Sequence, residues 1–156
     1  MDPQPLIIHE RLAYWAGRLR ARLRGESIRW VESRSAASLV DAAGRSACPI
    51  LLVDLGDRPA RNLADLDAAL QVAPAALSLV LDPSDTPEVA TIARELGATL
   101  VGSGPVVPPD VEAILRRWLP LARARAEAAG WSRPSGPEPE SWERPDLFAP
   151  ADRRPS

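Results

Sequence analysis

The sequence predicts an α/β three-layer sandwich, with a five-stranded parallel sheet in the order 2-1-3-4-5 and helices on both faces. Three observations predict it. Short apolar runs alternate with longer amphipathic stretches along most of the chain, the pattern of successive βα units. Two of the runs, Ile50-Leu51-Leu52-Val53 and Leu77-Ser78-Leu79-Val80-Leu81, are apolar almost throughout, as strands covered on both faces must be. A third, Ile28-Arg29-Trp30-Val31, mixes polar and apolar residues as an edge strand does. In that order the third and fourth strands are interior and the second is an edge, so pattern and topology agree.

Each element has its own signals. Leu6-Ile7-Ile8 is a brief first strand, and Leu12, Trp15, Leu19 and Leu23 recur at helical steps until Gly25 ends the stripe. Ile28–Val31 is the second strand. Ser35 caps a second helix carrying Leu39, Val40, Ala43 and Ala47, and Pro49 stops it. The third strand leads to a helix with Leu63, Leu66 and Leu70 inward, ended before Pro74. After the fourth strand, Thr86 is placed as N-cap, Pro87 at the first helical position and Glu88 at the positive helix end. Val89, Ile92, Ala93 and Leu96 form that helix's inner stripe, with Gly97 at C′. Thr99-Leu100-Val101 opens the fifth strand. Asp110 is placed as cap of the last helix, with Val111, Ile114, Leu115 and Trp118 inward and a stop or kink at Pro120. Trp15, Trp30 and Trp118 fall at core positions. The resulting architecture is flavodoxin-like.

Composition narrows the chemistry. Of 156 residues, 46% are hydrophobic, enough for a real core, and formal net charge is −2. All 19 basic residues are arginine, so a phosphate-loop lysine, a Schiff base and a pyridoxal anchor are excluded. One histidine (His9) and one cysteine (Cys48) cannot form a zinc finger or an intrachain disulfide, which fits a reducing cytoplasm. The opening Met-Asp-Pro-Gln-Pro has no basic n-region, and no run approaches the roughly 20 apolar residues of a membrane span. Arg11, Arg18, Arg20, Arg22 and Arg24 make the first helix basic, but such a run reads as a solvated helix face, and no nucleic-acid partner is expected. From residue 131 the composition shifts to six prolines in 26 residues with many charges. The expected organisation is therefore a domain over 1–130 and a disordered or extended tail over 131–156. Trp142, Leu147 and Phe148 in that tail are the expected anchors for a partner protein.

Function in such sheets sits at the carboxyl ends of the strands. Those positions hold His9 and Glu10, then Asp54, then Asp82, then Gly102-Ser103-Gly104. Glu10, Asp54 and Asp82 together would suit a hard cation such as Mg²⁺. His9 is the only general base of its kind, but no Gly-x-Ser-x-Gly elbow accompanies it, and Cys48 beside Pro49 lies at the opposite sheet edge. Gly102-Ser103-Gly104 lacks the third glycine of a phosphate loop and reads as a turn.

Over residues 4 to 120 the chain resembles the receiver domains of bacterial two-component response regulators. Ile50-Leu51-Leu52-Val53-Asp54-Leu55, with Pro59 beyond it, is similar to the receiver motif at strand three. Ala93-Arg94-Glu95-Leu96-Gly97-Ala98, with Pro105 downstream, is similar to the segment entering strand five. The resemblance implies that Asp54 is equivalent to the phosphoacceptor. It also implies an acidic pair after strand one, a hydroxyl after strand four and a lysine after strand five. This chain has His9-Glu10, Asp82 and Gly104 there instead. A carboxylate at 82 would repel a phosphoaspartate, and no lysine exists to pair with it. The expectation is a stand-alone, non-enzymatic, cytoplasmic degenerate receiver that binds a partner protein, needs no cofactor and is not switched by phosphorylation. Two alternatives stay open: an atypical receiver phosphorylated at Asp54 with Mg²⁺, and a small flavodoxin-like enzyme or ligand-binding protein using Glu10, Asp54 and Asp82 in a concave pocket.

Overall fold

A computed structural model describes residues 2–130. Its elements are β1 (Gln4–His9), α1 (Trp15–Arg22), β2 (Ile28–Ser33), α2 (Ala36–Gly44) and β3 (Ile50–Asp54), then α3 (Pro59–Val72), β4 (Leu77–Asp82), α4 (Pro87–Glu95), β5 (Leu100–Ser103) and α5 (Pro108–Ala128). All strand pairs are parallel and the order is β2-β1-β3-β4-β5, the order expected from the apolar pattern. The tail and its anchors Trp142, Leu147 and Phe148 lie outside the described residues.

Alternation along the strands builds two cores. Leu6, Ile8, Ile50, Leu52, Leu77 and Leu79 face α1 and α5. Ile7, Leu51, Val53 and Val80 face α2, α3 and α4 on the other side. Because successive strand residues point to opposite faces, a run buried on both sides must be apolar at every step, and β3 and β4 are nearly so. Trp15 is buried in the first core, and Trp30 and Trp118 pack partly buried against it.

Several local expectations are corrected. Leu12 is 75% exposed and precedes α1, which starts only at Trp15. Ile92 is 45% exposed, and α4 seats Ala90 and Ala93 instead, small residues that let the helix approach the sheet closely. Thr86 is the N-cap of α4 but its side chain caps nothing, whereas Ser35 Oγ accepts from Ser38 N at 3.2 Å as expected. Helix α5 begins at Pro108 rather than at a cap by Asp110, and it runs through Pro120. Pro120 lies on the exposed face, where water can serve the carbonyl that loses its amide partner.

The register sets the functional edge. His9 stands opposite Ser33 and Val53, Asp54 opposite Leu81, and Asp82 opposite Ser103. The polar residues that end β1, β3 and β4 thus reach one edge of the sheet, above an apolar interior.

Candidate functional site

Glu10 follows β1 and is buried. One of its oxygens accepts from Tyr14 N at 3.1 Å and Trp15 N at 2.9 Å, and the other from Ala16 N at 3.1 Å. Tyr14 has no side chain able to cap α1, so Glu10 does that work from five residues upstream of Trp15, its charge set against the positive helix end.

Asp54 ends β3 half-buried. Its Oδ2 accepts from the indole Nε1 of Trp15 at 3.1 Å and its Oδ1 from Gly56 N at 3.0 Å. Asp82 is buried, and its two oxygens accept from Ser84 N at 3.2 Å and Thr86 N at 2.8 Å, holding the turn before α4. Each carboxylate therefore serves a separate set of donors. Among the described residues no group of three His, Cys, Asp or Glu side chains is placed to hold a metal ion. The three carboxylates expected to hold Mg²⁺, Glu10, Asp54 and Asp82, are not grouped: each is turned toward its own helix-capping or turn-closing donors.

Gly104 has φ +77°, and its amide donates to the Asp82 carbonyl at 2.9 Å. The left-handed region favours glycine, so this turn has its own reason to exclude lysine. The turn expected over Gly102-Ser103-Gly104 is confined to Gly104: Gly102 and Ser103 are paired in β5, opposite Leu81 and Asp82.

His9 belongs to a constellation that motif reading missed. Its Nε2 donates to Asp65 Oδ2 on α3 at 2.9 Å, which leaves Nδ1 facing Ser33 Oγ at 3.0 Å. Ser33 Oγ in turn meets Ser38 Oγ at 2.8 Å. His9, Ser33 and Asp65 are all buried. A hydroxyl, an imidazole and a carboxylate in line are the parts of a nucleophilic relay, but a serine sealed from solvent cannot meet a substrate. The network ties β1, β2 and α3 together instead. The available sequence signal was that Asp65 interrupts the buried stripe of Leu63, Leu66 and Ala69.

At the same edge lies a cavity of about 700 Å³, in the crevice between the ends of β1 and β3. These two strands form the point where the strand order reverses, the usual ligand position in open α/β sheets. Glu10 and Asp54 line it, and Asp82 does not. Of the arginines expected on the first helix, Arg11 precedes α1 and Arg24 follows it; Arg11 pairs with Asp57 at 2.9 Å, Arg20 with Glu32 at 3.0 Å and Arg22 with Glu112 at 3.2 Å. The hydrogen bonds from Arg22 and Arg116 hold the Glu112 carboxyl below its usual range.

No protein-family model matches the chain, and no curated protein matches it. Solved structures do. A response regulator from Burkholderia pseudomallei, determined with a phosphorylated aspartic acid, calcium ion and citrate, is similar with a TM-score of 0.57 and 23% identity, over 84% of this chain and 76% of that one. A CheY-like response regulator receiver domain protein from Methanospirillum hungatei gives a TM-score of 0.63 at 14% identity, over 80% of this chain and 98% of that one. A structure described as adenylate cyclase from Rhodopirellula baltica gives 0.63 at 13% identity, over 85% and 100%. The likeness is one of fold, and the fold is that of receiver domains.

Proposed function

We propose that this chain, with its receiver fold, is a non-enzymatic signalling or scaffold module that engages a partner protein and is not switched by phosphorylation of Asp54. The observation that carries the reading is the hydrogen-bonding of the Asp54 carboxylate, both of whose oxygens are engaged by Trp15 Nε1 and Gly56 N. Donors fixed on both oxygens lower their nucleophilicity, and a phosphoacceptor also needs a cation to offset charge and donors for the incoming oxygens. Here Glu10 caps α1, Asp82 brings a further negative charge, and the chain has no lysine.

The test is incubation of the full chain with acetyl phosphate and Mg²⁺, read by intact mass. No Asp54-dependent phosphoryl adduct is expected. An adduct in the wild type that disappears in Asp54→Asn overturns the reading. For the partner, Trp142, Leu147 and Phe148 are the anchors of choice, because large apolar side chains in a Pro-rich charged segment gain most by burial on another surface. Replacing all three by alanine is expected to abolish partner retention without moving the thermal midpoint.

A further inference from the structure

We infer that the crevice between β1 and β3 is a non-covalent binding site for a small organic phosphate carrying a flat apolar body. Its volume, about 700 Å³, is in the range of sites for drug- or nucleotide-sized ligands. Its wall divides by chemistry. Arg34, Arg58 and Arg61 stand on one side, beyond β2 and at the start of α3, while Leu12 and Tyr14 stand on the other.

The three arginines are exposed at the crevice. Among the described residues none of them is in an ion pair, whereas Arg11 in the same crevice has Asp57. Guanidinium groups are planar forks suited to bidentate contact with phosphate or carboxylate oxygens. Like charges along one crevice repel one another, and an anion among them reduces that cost. Helix α3 adds to the same field: no side chain caps its N-terminus, Pro59 opens it, and its first turn has no acidic residue.

The opposite side suits an apolar body. Leu12 is exposed in a loop instead of buried in α1, and Tyr14 is partly exposed beside it. Tyr14 stands edge-on to Trp15 at 5.0 Å, with the Arg18 guanidinium over one ring face at 3.7 Å. Its other face and edge offer an aromatic contact that a flat apolar body can use. Three carboxylates also line the crevice: Glu10, bonded to the amides that open α1, Asp57, paired with Arg11, and Asp54, whose charge opposes an anion, so removing that charge must favour binding.

Phenyl phosphate is the probe, titrated into the full chain by calorimetry with tryptophan fluorescence in parallel, because the Trp15 indole bonds to Asp54 at the cavity floor. Saturable binding is expected, weakening as salt rises. Arg58→Ala/Arg61→Ala and Arg34→Ala are each expected to weaken it at least about tenfold, and Asp54→Asn to retain or tighten it. Arg94→Ala, on α4 away from the crevice, is expected to change nothing. Inorganic phosphate is expected to bind more weakly than phenyl phosphate, and equal affinities would overturn the assignment of an apolar body. Absence of saturable binding at millimolar probe, or an affinity unchanged in the arginine variants with their melts intact, overturns the site. The inference goes beyond the non-switching reading and fails separately from it: phosphoryl transfer needs Asp54 and leaves a mass adduct, whereas this binding survives Asp54→Asn and leaves none.

Discussion

The indole nitrogen of Trp15 donates to Oδ2 of Asp54 across 3.1 Å, joining a core residue of α1 to the carboxylate at the end of β3. The bond gives the buried ring's N–H its partner and gives the strand-end carboxylate one of its two donors. Trp15→Phe keeps an aromatic ring in the core but removes the donor. A hydrogen bond to a charged group contributes about 2 kcal/mol and the smaller ring leaves a gap in the core, so a loss of at least that size is expected in urea unfolding. Asp54→Asn in the Trp15→Phe background should then cost less than it does alone, and strictly additive losses would show that the pair is uncoupled.

His9 is the second buried junction. Asp65→Ala strips the acceptor from Nε2 and leaves a buried donor without a partner, at an expected cost of about 2 kcal/mol. Ser33→Ala also leaves the buried Nδ1 of His9 without its partner, but the bond lost there is to a hydroxyl rather than to a carboxylate, so it should cost less. Equilibrium denaturation of the two variants provides the comparison, and equal losses would refute this ordering.

Gly104 separates a backbone effect from a chemical one. A Cβ added there would meet nothing nearer than the Asp85 side chain at 3.9 Å, an ordinary contact, so the penalty comes from φ +77° alone. Gly104→Ala and Gly104→Lys should therefore lower stability by a similar amount, about 1–2 kcal/mol. Thermal melts of both decide it, and a neutral alanine variant would mean the turn relaxes out of the left-handed region. Supplying the lysine that the receiver resemblance calls for should not create phosphorylation at Asp54.

Cys48 is buried, and its Sγ–H donates to the Ala75 carbonyl at 3.0 Å. Burial pushes the thiol up from its ordinary value, and the nearby Arg125 only partly opposes this. A raised thiol value means less thiolate at a given pH, so the native protein should resist alkylation at pH 8 and react fully in denaturant. Rapid labelling of the folded chain would contradict the burial.

Glu112 carries a pH dependence of known sign. Its carboxyl is held low by hydrogen bonds from Arg116 and Arg22, so its contribution to stability is present above the unfolded carboxylate value. That contribution is lost as pH falls through the lower folded value. Glu112→Gln should thus lower the melting temperature at pH 7 and make little difference at the acidic end of that window. A deficit that persists there would have another origin.

The fold was legible because its signals are local. The apolar runs of β3 and β4 and the mixed run of β2 give strand positions directly, and the strand order follows from which runs are covered on both faces. Helix ends were less legible where the cap was remote. Nothing around Tyr14 announces that Glu10 caps α1, and the periodic Leu12 pointed to an earlier start. Ile92 fits the helical stripe of α4 as well as Ala90 does, and only the sheet's proximity selects the smaller side chain.

The candidate site divides along the same line. By itself the sequence determined that carboxylates and the lone imidazole end the strands, that lysine is absent and that glycine stands at 104, because these are facts of composition and position. Tertiary structure decided what those groups do. Trp15 and Asp54 are 39 residues apart, His9 and Asp65 are 56 apart, and Arg34 reaches the crevice from a different strand end than Arg58 and Arg61. Hydrogen-bond donors and charges act over a few ångströms, so the role of a polar side chain depends on which distant segments the packed sheet brings beside it.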